Sequence, residues 1–392
     1  MKNVLIINQS SELYGADKAL MELINSFPKN FTPIVVLENE GPLKEILLEK
    51  GIKIIKCPVV KLNRSLLSFY GIYRISVDLI KGFYIIRKET KSLNIDLVHS
   101  NAISVLIGAI YSFFYNKPHL WHVHEIVEKP KVIAKLYPRI VNLFSDKIIY
   151  NSKASYNQFL KIYPRVKIKS EIIYNGQSRN LPITDKKTIT EIKKTIFKTS
   201  GETIIIGLVG RISRWKGQYL LLESFDKLIK KHSNIHLVFV GSTPPGQDHF
   251  LVKLNNLIST FKLNNNVTIV DFQKNIWQIY DAIDISVIPS IEPEPFGLVA
   301  TESMLSYKAV IAANHGGLCE IIIDNETGLF FEPKNVNDLA EKIEVLILNP
   351  NLRNIFGDNG NKRVKDVFST EKYVSSFEKK YIELTSKIYK VN

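Results

Sequence analysis

The fold is decided by residues 285–302, which read Ile-Ser-Val-Ile-Pro-Ser-Ile-Glu-Pro-Glu-Pro-Phe-Gly-Leu-Val-Ala-Thr-Glu. The apolar run at 285–288 predicts a buried strand that ends at breaker residues, and Pro295-Phe296-Gly297 predicts a turn that opens a helix. A strand, a glycine-containing turn and a helix start bring backbone N–H groups and the positive end of a helix dipole to one place. The stretch therefore predicts a parallel α/β sheet with a phosphate-binding site at the helix start.

Two carboxylates frame this turn, because Glu294 precedes it and Glu302 follows seven residues later. Eight residues at 1.5 Å each place Glu302 about two turns into the helix, roughly 12 Å from Glu294. One carboxylate can then reach a group on one side of a diphosphate, while the other reaches a ribose on the far side. The alternative is a helix with one Glu at the favourable end of its dipole and a second, solvated Glu.

A second motif lies about eighty residues upstream, where an apolar strand at 204–209 ends at Gly210. Gly210 allows a tight turn, and Arg211 and Lys216 bring two cations to the mouth of the next helix. A guanidinium and an ammonium that converge on a leaving diphosphate stabilise the charge that develops there. The alternative is a pair of surface cations on a loop, and the carboxylate motif beside a neighbouring strand favours the anion site.

These motifs, with the runs at 315–320 and 325–329, resemble glycosyltransferase family four over essentially the whole C-terminal half. The N-terminal half is similar more loosely, through Gly15-Ala16-Asp17, residues 121–125 and residues 173–176. The chain departs from the family pattern at a few positions: Tyr14 for a glycine, Gln177 and Ser178 for Ile-Asp, Tyr307 for a glycine and Ala309 for a proline.

The resemblance implies the GT-B fold, in which two Rossmann-like, doubly wound α/β domains face a central cleft. We expect an acceptor-binding domain at 1–178, a polar linker at 179–202 and a nucleotide-sugar-binding domain at 203–370. A C-terminal helix at 371–392 is expected to cross back onto the N-terminal domain. Strand-like and helical runs alternate along the whole chain, as this architecture requires, and the final predicted strand lies near 309–312.

The resemblance also implies a site for a nucleotide-diphospho-sugar such as a UDP- or GDP-hexose. Arg211 and Lys216 are expected to bind the diphosphate, after the turn at Gly210, and the backbone N–H groups of Phe296, Gly297 and Leu298 are expected to bind phosphate. Glu294 is expected to bind sugar hydroxyls, and Glu302 is expected to bind the ribose. Gly15 is expected in a loop that approaches the leaving group, and His124 is expected to orient the sugar. The expected reaction is hexose transfer with retention to a saccharide or polyprenyl-diphosphate-linked acceptor in cell-surface polysaccharide synthesis of the bacterial type.

Two other functions stay open at this point. A sugar-nucleotide epimerase shares the two-domain architecture, although no in-line acid and base carboxylates are evident for it. A nucleic-acid-binding protein explains the isoelectric point of about 9.4 but not the Glu294/Glu302 pair. The chain lacks an aromatic-glycine RNA signature, a zinc spacing and a basic recognition helix, so we expect no nucleic-acid partner.

We expect no metal and no cofactor. His122 and His124 alternate on one face of a predicted strand and form a candidate metal pair, but a third and a fourth ligand are not evident nearby. The chain has no Asp-x-Asp run and no Gly-x-Gly-x-x-Gly after a strand. A metal-independent reaction follows, in which Arg211, Lys216 and the helix start supply the counter-charge.

The chain has 392 residues and a net charge of +14, and residues 1–200 carry the whole positive excess. Cations and aromatic or aliphatic side chains are interleaved over residues 61–91, which suits an anionic membrane surface. These side chains are Lys61, Arg64, Arg74, Lys81, Arg87, Lys88 and Lys91 with Leu66, Leu67, Phe69, Tyr70, Tyr73, Phe83 and Tyr84. The alternative is a core-facing helix with a basic outer face.

Two cysteines in different halves favour a reducing compartment, and the longest apolar runs are poor membrane spans. We expect a cytoplasmic protein, peripheral on the inner face of the cell membrane.

Overall fold

The computed structural model describes residues 1–59, 69–200, 202–273 and 275–386. The chain divides into two compact units: unit 1 is Met1–Gly176 with Ser369–Asn392, and unit 2 is Gln177–Phe368. Four of the predicted membrane-facing residues, Lys61, Arg64, Leu66 and Leu67, lie outside the described residues, as does the side chain of Phe69. Within the described residues, no helix has the length and apolarity needed to cross a membrane.

Unit 1 is built on a seven-stranded parallel sheet of order β3-β2-β1-β4-β5-β6-β7. Its strands are β1 (Lys2–Asn8), β2 (Phe31–Leu37), β3 (Lys53–Lys56), β4 (Ile95–Asn101), β5 (His119–Val123), β6 (Lys147–Tyr150) and β7 (Ser170–Ile172). Its helices are α1 (Gly15–Asn25), α2 (Pro42–Glu49), α3 (Phe69–Thr90), α4 (Leu106–Tyr115), α5 (Lys131–Phe144), α6 (Lys153–Ile162) and α15 (Thr370–Ser386).

Strand β1 shows why this sheet is covered on both faces. Successive side chains of a strand point to opposite faces, and Val4 and Ile6 belong to one buried cluster while Leu5 and Ile7 belong to another. The first cluster includes Tyr381 and other residues of the C-terminal helix α15, and the second includes residues of α3 and α4. A central strand that is apolar at every position therefore requires helices on both sides.

Unit 2 is built on a six-stranded parallel sheet of order β10-β9-β8-β11-β12-β13. Its strands are β8 (Ile204–Val209), β9 (Ile235–Val240), β10 (Val267–Val270), β11 (Ile285–Ile288), β12 (Ala309–Ala313) and β13 (Gly328–Phe331). Its helices are α7 (Lys186–Thr195), α8 (Gln218–Ile229), α9 (His249–Thr260), α10 (Ile276–Ala282), α11 (Leu298–Leu305), α12 (Leu318–Ile321), α13 (Val336–Leu348) and α14 (Pro350–Val367). Strand β13 lies beyond the last strand that the sequence predicts, near 309–312.

The segment expected to be a linker, 179–202, instead forms part of unit 2 and contains α7. Asp185 caps this helix by accepting a hydrogen bond from the Thr188 backbone N–H at 3.0 Å. Its apolar side chains recur at helical spacing and pack into the core against α10; they are Ile189, Ile192 and Ile196. The many Lys and Thr residues of the segment conceal this stripe, so composition alone gave the wrong interpretation.

A buried ion pair fixes the start of this segment. The two terminal nitrogens of Arg179 donate to the two carboxylate oxygens of Asp281 at 2.7 and 2.6 Å, and the Thr184 hydroxyl donates to the same carboxylate at 2.6 Å. Burial alone raises the pKa of Asp281, but the hydrogen bonds from Arg179 and Thr184 outweigh burial, and the pKa lies below its ordinary value.

Both sheets have a topological switch point, where the direction in which strands are added reverses. In unit 1 it lies between β1 and β4, and in unit 2 between β8 and β11. Ligands of open α/β sheets bind outside the carboxyl ends of the strands at such points. The loops that follow β1 and β4, and β8 and β11, are therefore where functional side chains are expected.

Arg179→Ala should destabilise unit 2 by about 3–5 kcal/mol, because it leaves the Asp281 carboxylate buried without its counter-charge. The control is Lys230→Ala, which removes an exposed i,i+4 partner of Asp226 and should cost about 0–1 kcal/mol. Urea unfolding of both variants measures the difference. Equal losses of stability in the two variants would contradict the role of the buried pair.

Candidate active site

The loops after β8 and β11 are joined by an ion pair at the switch point of unit 2. Lys216 Nζ lies 2.6 Å from Glu294 Oε1, and the Ser290 hydroxyl donates to the same oxygen at 2.5 Å. The two charged side chains are 20% and 15% exposed. A Cβ at Gly210 would lie 3.9 Å from the stem of Lys216, so this glycine is close to the ammonium side chain.

Charge, and not solvent exposure, sets the ionisation of Glu294. Burial alone raises the pKa of Glu294, but the positive charge and hydrogen bond of Lys216, the hydrogen bond of Ser290 and the charge of Arg211 outweigh it. The pKa therefore lies below its ordinary value, and the carboxylate is ionised at neutral pH. The structure thus brings together Arg211, Lys216 and Glu294, three of the residues that the sequence selects.

Two glycines allow the three loops of this edge to approach each other. Gly217 begins α8 with φ +80°, and a Cβ there would lie 1.9 Å from the Pro289 carbonyl oxygen. Gly316, after β12, has φ +65°, and its Cβ would lie 2.5 Å from the Glu294 carbonyl oxygen. A side chain at either position is excluded by its backbone conformation and by the backbone of the β11 loop.

The loop after β12 also holds the β11 loop through hydrogen bonds. The Gly317 N–H donates to the Glu294 carbonyl at 2.7 Å, and His315 Nε2 donates to the Ser290 carbonyl, also at 2.7 Å. Ser290 and His315 were absent from the predicted site residues. His315 lies in the glycine-rich run of the family pattern, so the sequence contained a signal for it.

Helix α11 begins directly after the predicted turn. Gly297, with φ +117°, is its N-cap and Leu298 its first residue. Glu302 is therefore four residues into the helix, about 6 Å along its axis, so the expectation of about two turns was wrong: Pro295 and Phe296 belong to the preceding turn. The first N–H groups of a helix lack intrahelical acceptors, and these groups of α11 lie directly after Phe296.

Glu302 lies on the buried side of α11 and is only 2% exposed. The Tyr280 hydroxyl, at the end of α10, donates to Glu302 Oε2 at 2.8 Å. Burial, together with the negative charge of Glu302, raises the pKa of Tyr280 well above its ordinary value, so this hydroxyl keeps its proton. Tyr280 is a functional candidate that sequence reasoning missed, because nothing in its local pattern marks it.

In unit 1, Gly15 is the first residue of α1, directly after the loop that follows β1. A Cβ at Gly15 would have no neighbour within 4 Å, so packing in unit 1 does not require glycine at this position. Tyr14 precedes it, and the Tyr14 backbone N–H donates to Asp17 Oδ2 at 3.0 Å. The open space around Gly15 is compatible with the close approach of a ligand.

His124 follows β5 and is buried. Its Nε2 lies 3.0 Å from Asn101 Oδ1, while its Nδ1 is buried without a hydrogen-bond partner among the described residues. Burial lowers the pKa of His124 to about 3, so the ring is neutral. Glu125 holds the adjacent backbone, because its Oε2 accepts from the N–H groups of His124 and Ile103 at 3.0 and 3.1 Å.

The candidate metal pair, His122 and His124, lies among aromatic rings. The rings of His122 and His124 are 3.8 Å apart, and His122 also faces Phe377 at 5.0 Å. Within the described residues, no group of three or more His, Cys, Asp or Glu side chains is arranged to hold a metal ion. The two histidines are part of a buried aromatic cluster in this structure.

Comparison with known proteins assigns the family. The model of Glycosyltransferase Family 4 matches residues 15–178, and the model of Glycosyl transferases group 1 matches residues 189–363. An uncharacterized glycosyltransferase of Methanocaldococcus jannaschii is 30% identical over 317 residues, which cover 78% of this chain and 81% of that protein. The chain belongs to the family 4 glycosyltransferases.

Other similar proteins agree with this assignment. The capsular polysaccharide biosynthesis glycosyltransferase CapM of Staphylococcus aureus is 30% identical over 191 residues, 49% of each chain. The crystal structure of HepE from Anabaena in complex with UDP-glucose superposes with a TM-score of 0.85 at 23% identity and covers 98% of this chain and 100% of that chain. The glycosyltransferase therefore has the GT-B fold, with two Rossmann-like domains. Of the three functions that the sequence left open, family membership selects the glycosyltransferase.

The glycosyltransferase exposes an apolar stripe on α3, on the side opposite its core contacts. The stripe consists of Tyr70, Tyr73, Val77, Ile80 and Tyr84, which recur at helical spacing. The exposed cations Arg74, Lys81 and Lys88 each follow a stripe residue by four positions, so they flank the stripe. The outer face of α3 is therefore aromatic as well as basic, unlike the basic outer face of an ordinary amphipathic helix.

This exposed surface of the glycosyltransferase continues beyond α3. Successive ring centroids are 6.2 Å apart for Tyr84 and Phe83, 5.4 Å for Phe83 and Phe114, 5.8 Å for Phe114 and Phe113, and 6.5 Å for Phe113 and Phe144. We call these rings together with the α3 stripe the aromatic surface. Helix α5 carries further exposed side chains: Val132, Leu136 and Leu143 with Lys131, Lys135 and Arg139. The segment predicted to face a membrane, 61–91, does not include these side chains of α4 and α5.

Unit 1 should lose stability as the pH falls from about 6.5 to 4.5. Burial lowers the pKa of His99 to about 3, of His119 to about 4 and of His122 well below its ordinary value. In this pH range the unfolded chain binds protons that the folded chain excludes, so the stability present above pH 6.5 is lost on acidification. Glu125 has the opposite sign: burial raises its pKa to about 7, so its contribution is complete below about pH 4.5 and is lost as the pH rises through 7.

Urea unfolding between pH 4.5 and 7.5 measures this dependence. The substitution His122→Phe removes one group that takes up a proton only in the unfolded chain. It should therefore reduce the slope of the unfolding free energy against pH by about 1.4 kcal/mol per pH unit. The control is His249→Phe at an exposed position of unit 2, which should leave the slope unchanged. A wild-type stability that rises on acidification to pH 5 would contradict the assignment of neutral buried histidines.

Proposed function

We propose that this glycosyltransferase moves a hexose, with retention of configuration, from a nucleotide-diphospho-sugar to a saccharide or lipid-linked acceptor in cell-surface polysaccharide synthesis. The observation that carries the proposal is the Lys216–Glu294 pair at the switch point between β8 and β11, beside the start of α11. The HepE structures with UDP and with UDP-glucose support a UDP- or GDP-hexose donor, and the name of CapM supports the polysaccharide role.

In this proposal Arg211 and Lys216 bind the diphosphate, together with the N–H groups at Phe296, Gly297 and Leu298. Both cations already lie close enough to Glu294 to lower its pKa, so their charges converge on one small region. Negative charge on the diphosphate grows as the glycosidic bond breaks, and fixed cations with a helix dipole stabilise this charge without reorganisation. The protein then supplies the counter-charge that a metal ion supplies in other transferases, and no metal or cofactor is required.

The two carboxylates bind different parts of the donor. Glu294 is ionised and held by Lys216 and Ser290, so it accepts hydrogen bonds from hydroxyls of the transferred sugar. Glu302 accepts hydrogen bonds from the ribose hydroxyls, and Tyr280 holds its carboxylate in position. This division follows the family resemblance and the separate surroundings of the two groups.

The remaining roles belong to unit 1. Gly15 lets its loop approach the leaving group, and His124 contacts a hydroxyl of the transferred sugar. Retention is explained if the new bond from the anomeric carbon to the acceptor oxygen forms on the face from which the bond to phosphate breaks. The departing phosphate oxygen then takes the proton of the acceptor hydroxyl, so the proposal needs no separate protein base.

We further propose that the enzyme works in the cytoplasm as a peripheral protein on the inner face of the cell membrane. The aromatic surface offers apolar side chains that insert at the lipid headgroup level, and its flanking cations attract anionic lipid. The exposed rings favour a lipid surface over nucleic acid, because clustered apolar side chains can insert between lipid headgroups.

Lys216→Ala and Arg211→Ala should lower the turnover number by about 10²–10³ while weakening donor binding much less, because each removes charge stabilisation that develops in the transition state. The control is Arg214→Ala, an exposed cation of the same loop that pairs with Glu292. Initial rates against donor concentration, with and without EDTA, provide the measurement. Loss of wild-type activity in EDTA, or variants that raise only KM, would refute the metal-independent role.

Replacing Arg74, Lys81 and Lys88 together by Gln should weaken binding to anionic vesicles by roughly 100-fold, since each cation contributes about 1 kcal/mol near such a surface. The control replaces Lys227, Lys230 and Lys253 of unit 2 by Gln and should bind as the wild type does. Sedimentation with phosphatidylglycerol and with phosphatidylcholine vesicles measures both proteins at two salt concentrations. Equal sedimentation of the wild type with the two lipids would contradict the proposed binding to an anionic membrane.

A further inference from the structure

Four buried side chains form a continuous hydrogen-bonded chain at the switch point of unit 1. Asn8 Nδ2 donates to Asp17 Oδ1 at 2.7 Å, and Asn101 Nδ2 donates to Asn8 Oδ1 at 2.7 Å. Asn101 Oδ1 then lies 3.0 Å from Nε2 of His124. The four residues come from the end of β1, the first turn of α1, the end of β4 and the residue after β5, and none is more than 7% exposed.

The direction of this chain is fixed by groups that only accept hydrogen bonds. Asn8 Nδ2 also donates to the Ser10 carbonyl at 2.8 Å, and Asn101 Nδ2 also approaches the Ala16 carbonyl at 3.3 Å. A backbone carbonyl cannot donate, so each amide must present its nitrogen on this side. The oxygen of Asn101 therefore faces His124, and the atom that meets it must carry a proton.

Asp17 lies at the other end of this series of hydrogen bonds and acts there as an acceptor. Asp17 accepts from the Ser10 hydroxyl and from the Tyr14 backbone N–H, as well as from Asn8. Asp17 thus receives three hydrogen bonds and orders the loop before Gly15. The loop and His124 belong to one network, although they are more than a hundred residues apart in sequence.

These hydrogen bonds decide which ring nitrogen of His124 carries the proton. A neutral imidazole has one N–H and one unprotonated nitrogen, so a proton on Nε2 leaves Nδ1 as an acceptor. This Nδ1 is buried and has no partner among the described residues. A buried acceptor without a partner costs free energy, which a ligand that donates a hydrogen bond would recover.

We propose that Asp17, Asn8 and Asn101 are positioning residues that hold His124 as its Nε2–H tautomer, so that Nδ1 accepts a hydrogen bond from a hydroxyl of the transferred sugar. The identity of this ligand rests on the proposed function, whereas the tautomer follows from the hydrogen bonds of unit 1 alone. The sequence gives no hint of Asn8 or Asn101, since the network joins four separate elements.

The tautomer is measured by long-range ¹H–¹⁵N NMR of the ¹⁵N-histidine-labelled full chain at pH 7.5, with His124 assigned through His124→Gln. In the wild type Nε2 should be the protonated nitrogen. Asn101→Leu removes the acceptor and should abolish this preference. Asn101→Gln keeps both an oxygen acceptor and an N–H donor and should retain it. The signals of His236, which bonds to Thr268 in unit 2, report whether each variant remains folded.

Kinetics separate positioning from a merely structural role. Asn101→Leu should lower the turnover number by about 10²-fold, as expected for a misplaced group in an active site, while Asn101→Gln should stay within about tenfold of the wild type. Equal loss in the two variants, with His236 unchanged, would overturn the positioning role. A wild-type His124 protonated at Nδ1 would overturn the whole proposal.

Titration with UDP and with UDP-glucose tests whether Nδ1 of His124 accepts a hydrogen bond from the transferred sugar. The ¹⁵N resonance of Nδ1 should move with UDP-glucose and stay unchanged with UDP. Movement with neither, when both bind, would overturn the acceptor role of Nδ1. If neither binds, and GDP with GDP-mannose also fails, the proposed function and this acceptor role fall together, while the spectra of the free chain still decide the tautomer.

Discussion

The ion pair between Lys216 and Glu294 holds together the edge of unit 2 on which the proposed chemistry depends. It bridges the loops after β8 and β11, the two strands at which the sheet reverses its order. Neither partner is well exposed, so loss of one would leave the other charge poorly solvated. Gly217 and Gly316 let the neighbouring backbones close around the pair. A ligand that binds here meets charges that are already in position.

The loops at the switch point of unit 1 are joined mainly by neutral side chains. At its switch point two amides and an imidazole are joined by hydrogen bonds, and the Asp17 carboxyl accepts three hydrogen bonds. Direction in this network comes from hydrogen-bond donors and acceptors and not from opposite charges.

The sequence predicted the parts of the structure that local patterns encode. The strand, turn and helix at 285–302 and the cations after β8 could be found because each motif is contiguous, and its residue types suit one chemistry. The depth of Glu302 in α11 was overestimated because the count began at Glu294, before the turn at Pro295-Phe296-Gly297. Helix α7 was missed because its two isoleucines, and Ile196 directly after it, stand among lysines and threonines, and composition outweighed spacing.

Other features depend on tertiary contacts that no local pattern reveals. Asn8 and Asn101 lie 93 positions apart and meet only because β1 and β4 are neighbours in the sheet. Tyr280 reaches Glu302 across the boundary between two helices. The aromatic surface joins α3, α4 and α5, so a search confined to one amphipathic segment could find only its first part.

The central claim is that unit 2 binds the diphosphate of a nucleotide sugar with its own cations. Isothermal titration of the wild-type chain in EDTA, with UMP, UDP, UDP-glucose, GMP, GDP and GDP-mannose, tests this most directly. We expect one base series to bind, and we expect its diphosphates to bind much more tightly than the matching monophosphate. Equal affinity for UMP and UDP and for GMP and GDP, or diphosphate binding that appears only when Mg²⁺ is added, would contradict it.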